Sequence, residues 1–246
     1  MIDFHAHILP GIDDGAKDVK MSLDMLHESY LQGVRTVIAT PHCYLMEEKN
    51  IDSFLKKRQK SYEELMDAIK KDERPFPKII LGCELRIIKE VPDMNYLKKL
   101  CIEGTDYLLV EMPYKDWNVN NYDLLYAMIL RGIKPIIAHI ERFWDKKKEF
   151  YNLYSLELLY QVNADAFIHF AGKRRASQLF ASGALHIIGS DMHNTSSRAS
   201  CMKKAVNSII KIYGKYRLDY LMGNAEKILE NKPVDTVTFN KKGLFY

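Results

Sequence analysis

Metal-capable side chains recur in this chain wherever a short apolar run gives out. "IDFHAH" ends in His5 and His7, and "TVIATPH" ends in His42. "IILGCEL" carries Glu84, and "YLLVEMP" carries Glu111. "PIIAHIER" carries His139, Glu141 and Arg142, and "IIGSDMHN" carries Asp191 and His193. Neutral imidazole nitrogens and carboxylate oxygens are suitable ligands for zinc, manganese or iron. Residues two apart on a strand point the same way, so His5 pairs with His7, and Asp191 with His193, toward one site. No cysteine enters these pairs, which argues against a purely structural thiolate zinc site. A lone HxH or a lone buried glutamate says little. Five of the eight histidines placed alike, with three acids, point to a mixed metal centre. His27 reads as a helix-surface residue, His186 as strand-start polarity, and His169 stays unassigned.

The elements that must position these groups alternate. Strands are predicted at Ile2–His7, Thr36–His42, Lys78–Leu85, Tyr107–Met112, Pro135–Ile140, Gln161–Asn163 and Leu185–Gly189. Several are almost continuously apolar, as strands covered on both faces are. Helical spacing marks Val19–Gln32, Ile51–Lys71, Tyr122–Arg131, Tyr151–Tyr160 and Arg198–Tyr213, with a terminal helical cap beyond. Strand-then-helix repetition argues parallel pairing through crossover helices. Seven units suggest a closed or nearly closed barrel, with a doubly wound open sheet as the alternative. In a parallel barrel the C-terminal strand ends form one face, which carries the active site.

The composition fits one globular domain over residues 1–246, at 47% hydrophobic and 28% charged. A net charge of +4 is too slight to argue for a nucleic-acid partner. Cys43, Cys83, Cys101 and Cys201 form no CxxC pair, so a reducing, cytoplasmic setting is expected. No signal peptide and no apolar run of membrane-spanning length are read, so no membrane insertion is expected.

Together "HAH", "TPH", "GCEL", "AHIER" and "SDMHN" resemble the motifs of the polymerase-and-histidinol-phosphatase (PHP) superfamily. The match is closer to the manganese-dependent bacterial tyrosine-protein phosphatases of capsule and exopolysaccharide loci, the CpsB/YwqE type. "MIDFHAHILPGIDDGA", "SYLQGVRTVIATPH" and "IKPIIAHIER" are its most specific stretches, and it runs from Met1 to about Leu229. The resemblance implies a distorted, TIM-like (β/α)7 barrel with up to three metal ions, manganese first, iron or zinc also accepted. His5, His7, Glu84 and Asp191 would hold one ion. Glu84 would bridge to a second, held also by Glu111 and His139. His42 and His193 would hold a third with an aspartate of "IDDG", Asp14 by choice and Asp13 as the alternative. Arg142 and Arg198 would bind and turn over the phosphate. The implied substrate is a phosphotyrosine protein, the tyrosine-rich tail of a bacterial tyrosine kinase that controls polysaccharide export. One departure is visible: relatives often show Arg-Pro-Pro after "SDMHN", whereas Arg198 is followed by Ala199 and Ser200, so a less rigid loop is expected.

Rival readings meet specific obstacles. A thiol phosphatase needs a C-x5-R loop, but the positions six after each cysteine are Lys49, Lys89, Tyr107 and Asn207. An amidohydrolase would more typically bridge its metals with a lysine, and no strand-end lysine is evident. A small-molecule phosphatase of the histidinol-phosphatase type is the standing alternative. A metal-loaded docking module would bind ions without turnover.

Overall fold

The computed structural model describes residues 1–44, 49–87, 94–114, 117, 119–143, 153, 156 and 158–234. The strands are β1 (Ile2–Ala6), β2 (Thr36–Ala39), β3 (His42–Cys43), β4 (Lys78–Leu81), β5 (Glu84–Arg86), β6 (Tyr107–Glu111), β7 (Lys134–Ile137), β8 (Leu159–Asn163) and β9 (Ile187–Gly189). The helices are α1 (Val19–Leu31), α2 (Lys49–Ile69), α3 (Met94–Leu100), α4 (Val119–Leu130), α5 (Phe170–Ser182), α6 (Met202–Tyr213) and α7 (Lys215–Leu229). Short 3-10 turns follow β7 at Ile140–Phe143 and β8 at Ala164–Phe167.

Among the described residues every strand pair is parallel, in the orders β1-β2-β4 and β3-β5-β6-β7-β8-β9. The sheet is curled, because its outermost members meet. Just past β1 and β9, Ala6 bridges to Met192. Asp191 N–H donates to His5 O at 2.7 Å, and His7 N–H donates to Met192 O at 2.9 Å. Gly189 makes this approach possible: a Cβ there would lie 2.5 Å from the His5 Cβ. Phe4, Ile38, Leu109, Ile136, Leu159 and Ile187, one from each of six strands, pack in one cluster with Ala225 and Ile228 of α7. A larger cluster runs from Ala6 to Leu221.

Two expected strands each divide in two. Between β2 and β3, Pro41 has no N–H to give a ladder, and the Thr40 N–H donates to Ala6 O at 2.9 Å. Between β4 and β5, Gly82 N–H reaches Ala39 O and Glu84 N–H reaches Pro41 O. Other boundaries move as well. Leu159 and Tyr160, expected at the end of a helix, open β8, because β7 and β9 supply ladder partners on both sides. The rest of that expected helix falls mainly outside the described residues. The helix expected from Arg198 starts at Met202, and α3 and α5 were not anticipated. Among the described residues no helix is long and apolar enough to cross a membrane.

Candidate metal centre

β1 delivers His5 and His7, both fully buried. Their Nε2 atoms lie 3.1 Å apart. Glu84 Oε2, from the start of β5, lies 3.3 Å from the first and 3.4 Å from the second. Such a triangle has the edges expected of ligand atoms sharing one cation at ~2.0–2.2 Å. Asp191 Oδ1 lies 3.5 Å from each of the same nitrogens. His42 Nδ1 lies 2.9 Å from Glu84 Oε2, and His139 Nε2 lies 2.8 Å from Glu84 Oε1. Glu111 Oε1 is 3.8 Å from His139 Nε2. Asp14 Oδ1 sits between His42 Nε2 at 3.3 Å and His193 Nε2 at 3.4 Å.

These atoms form three overlapping groups, each within 4.8 Å: His5, His7 and Glu84; His42, Glu84 and Glu111; and His7, Asp14, His42 and His193. Seven of the nine residues expected as ligands fall in these groups. The grouping is more shared than the resemblance implied, since His7 and His42 each belong to two groups. His139 and Asp191 approach from the flanks, both with left-handed backbones (φ 34° and 53°). Such conformations cost roughly 1–3 kcal/mol each in non-glycine residues and concentrate at functional sites.

A divalent cation fits this donor set on a direct observation. Glu84 Oε2, Glu111 Oε2, His42 Nδ1 and His193 Nε2 are buried and have no hydrogen-bond partner among the described residues. A buried polar atom left without a partner costs roughly 1–3 kcal/mol. Here the neighbours are close but not aligned for hydrogen bonds, as ligands around a common ion are. Burial opposes the charge on Glu84, but the surrounding imidazoles His5, His139 and His42 hold its carboxyl well below the usual range. Burial likewise opposes Asp191, and His5, His7 and Arg142 keep it ionised.

The far nitrogens are occupied elsewhere, which turns Nε2 toward the cluster. His7 Nδ1 donates to Asp13 Oδ2 at 2.8 Å. His5 Nδ1 donates to Gln161 Oε1 at 3.1 Å, and His193 Nδ1 donates to Asp191 O at 2.9 Å. Asp13 also accepts from the backbone N–H of His42 and of Gly15, both at 2.9 Å. Despite burial, these donors lower its carboxyl to about 2. The "PGIDDG" stretch is thus a turn folded back on β1, and only glycine fits at 15: a Cβ there would lie 2.2 Å from His7 O. Asp13 grips the histidines from behind, and Asp14 faces the cluster.

Both expected arginines meet Asp191 Oδ2, Arg198 at 3.0 Å and Arg142 in closer contact. They are about one-third exposed, at 39% and 34%. Arg142 does not pair with Glu141, which instead accepts from Asn163 N–H at 3.3 Å. The loop before Arg198 is tied without prolines: Asn194 Oδ1 accepts from the N–H of Ser196 and of Arg198, both at 2.9 Å. Sequence reasoning missed Gln161 and Asn163 on β8. Gln161 Oε1 also accepts from His139 N–H at 2.8 Å. Gln161 Nε2 donates to Asn163 Oδ1, and Asn163 Nδ2 donates to Asp191 Oδ2, both at 2.9 Å. The signal was available: two polar residues at period two in a buried strand. His27 is half-buried, with Nδ1 3.2 Å from Pro75 O. His186 stands directly before β9, as expected, and is buried.

Comparison with known proteins agrees with this architecture. The family model for capsular polysaccharide synthesis, CpsB/CapC, matches residues 1–230. The tyrosine-protein phosphatase YwqE of Bacillus subtilis is 30% identical over 241 residues, 95% of this chain and 93% of that protein. The tyrosine-protein phosphatase CpsB of Streptococcus pneumoniae is 30% identical over 246 residues, 93% of this chain and 98% of that protein. Among solved structures, one from the work on the metal-dependent tyrosine phosphatases YwqE and CpsB of those two organisms aligns with a TM-score of 0.83. It shares 28% identity and covers 98% of both chains. The phosphotriesterase homology protein of Escherichia coli, at 9% identity and TM-score 0.50 over 92% of this chain and 97% of its own, shares the fold alone.

Proposed function

The chain belongs to the CpsB/CapC family of capsular polysaccharide synthesis, and from that membership and its donor set we infer that it is a metal-dependent tyrosine-protein phosphatase. The observation that carries the reading is the buried Glu84 carboxylate, whose Oε2 has no hydrogen bond yet faces the nitrogens of His5, His7 and His42. A thiol mechanism has no support. Cys43, Cys83 and Cys101 are buried, and burial pushes the Cys101 and Cys201 thiols up to about 12.

In this reading His5, His7, Glu84 and Asp191 would hold one ion, Glu84, Glu111 and His139 a second, and His42, His193 and Asp14 a third. Manganese is the expected metal from the family resemblance, and iron and zinc accept the same nitrogen and oxygen donors. Such ions lower the pKa of bound water and offset charge on phosphoryl oxygens. The chain's own part is to orient and to clamp. Gln161, Asn163 and Asp13 fix the ligand rotamers. Arg142 and Arg198, themselves about one-third exposed, present guanidinium forks suited to phosphoryl oxygens beside the buried Asp191. Residues 1–246 act as one domain, a seven-stranded barrel in which β2 with β3, and β4 with β5, each count as one broken strand. The substrate is a phosphotyrosine protein in the cytoplasm, the tail of a bacterial tyrosine kinase. Four free cysteines suit that compartment.

The test is phosphate release from a phosphotyrosine peptide by metal-stripped protein, with each metal added back. Chelation should abolish release and manganese should restore it best. Full turnover by verified metal-free protein would overturn the reading.

A further inference from the structure

One further cation, Arg86, comes from a strand that supplies the metal centre. Arg86 lies two residues beyond Glu84 on β5, so the strand period sends both side chains to the same side. It is in register with Glu111 on β6, yet its guanidinium has no carboxylate partner among the described residues. It lies instead over an aromatic ring, with Cζ 5.7 Å from the centroid of Tyr44. Tyr44 follows β3, and its ring stacks on that of His42 at 5.0 Å with 25° between planes. Half of Tyr44 is open to solvent, at 50%. A large ring placed beside a metal-type centre, backed by a guanidinium and left half bare, is a surface for another flat apolar group.

Its position suits one particular group. Arg142 and Arg198 gather at Asp191, beyond β9. Arg86 stands on β5, with β6, β7 and β8 between it and β9. A phosphate ester that places its phosphoryl group at the two arginines extends its ester substituent away from them.

We propose that Tyr44 and Arg86 form the wall that receives the aromatic ring of the substrate and set a preference for aryl over alkyl phosphate esters. The proposal rests on the phosphatase reading. A phenyl ring against this pair gains an aromatic contact and a guanidinium contact, each of modest size. An alkyl ester of equal charge gains neither in full.

The experiment compares manganese-loaded enzyme on a phosphotyrosine peptide and on the same peptide carrying phosphoserine. In Tyr44→Ala and Arg86→Gln the ratio of the two kcat/KM values should fall about fivefold to tenfold. Tyr44→Phe, which keeps the ring, should hold the ratio within about twofold of wild type. Tyr44→Leu keeps apolar bulk if the alanine variant folds poorly, and its ratio should also fall. Calorimetric titration with phenylphosphonate and methylphosphonate gives a second reading that needs no turnover. The wild type should favour the phenyl compound, and Tyr44→Ala should lose that preference. An unchanged ratio in both Tyr44→Ala and Arg86→Gln overturns the proposal. So does an equal fall on both peptides with loss of metal, which would make Tyr44 a prop for His42. Failure of the wild type to release phosphate from either peptide would instead refute the phosphatase reading, and the phosphonate titration would still judge the wall.

Discussion

Asp13 and Asp14 are adjacent and chemically identical, yet they face different surroundings. Asp13 is held by three donors behind the histidines, whereas Asp14 is 63% exposed and lies between His42 and His193. Asp14→Asn should lower the number of bound ions while leaving the group around Glu84 loaded. Asp13→Asn should keep the ligands but loosen them, weakening metal binding by about 10–100-fold, the usual cost of losing such a supporting carboxylate. Metal analysis beside a chelator-competition titration separates the two outcomes; an ion lost in Asp13→Asn and kept in Asp14→Asn would reverse the assignment, and equal counts in both would refute it. Arg142 and Arg198 both contact Asp191. Arg142→Ala and Arg198→Ala should each reduce kcat/KM by about 10²–10³, as expected for a lost charged contact that tightens in the transition state. Metal content should stay near normal, and lysine should rescue only in part, because a point charge does not reproduce the fork. Steady-state kinetics on the purified variants check this.

At the scale of elements, β8 connects the others. Gln161 ties β1 through His5 to the turn after β7 through His139, and Asn163 carries the connection to Asp191 after β9. Gln161→Leu leaves the His139 N–H without its acceptor and frees the His5 ring. The expected cost is roughly 1–3 kcal/mol of stability from the unsatisfied buried donor. Metal affinity should fall about 10–100-fold at the same time. Chemical denaturation with and without manganese measures both. A variant that is less stable but binds metal at wild-type affinity would limit Gln161 to a packing role.

For the molecule as a whole, acid sensitivity has a source remote from the metal centre. His186 opens the last strand region, and its Nδ1 accepts the Tyr160 N–H at 3.1 Å. That bond requires a neutral ring, and burial lowers its pKa to about 4 from 6.5. Between those pH values the unfolded chain binds the proton and the folded chain does not. Stability is therefore full above about 6.5 and declines as pH falls, by about 3 kcal/mol by pH 4. His186→Gln should flatten that part of the curve of unfolding free energy against pH in metal-free protein. An unchanged slope between pH 6.5 and 4 would show that other groups carry it.

The sequence by itself determined the donors and their distribution along the chain. Apolar runs long enough for buried parallel strands, each ending in a histidine or carboxylate, are local features, and so is the same-side pairing of His5 with His7. These follow from strand geometry within a few residues. The helical periods of α1, α2 and α4 were legible for the same reason. Tertiary structure alone decided which donors share an ion-sized space, which of two aspartates faces it, and that Gln161 and Asn163 stand behind the ligands. It also decided that both arginines meet on Asp191. The contacts among the donors, of Gln161 and of Asn163 depend on the closure of β9 against β1 or on register between strands far apart in the chain. A side chain's own neighbours in sequence carry no information about that closure. A strand end can therefore announce a ligand, but the partner of its far nitrogen can lie far along the chain, as Gln161 Oε1 does for His5 Nδ1 at 3.1 Å, and is then set only when the sheet curls.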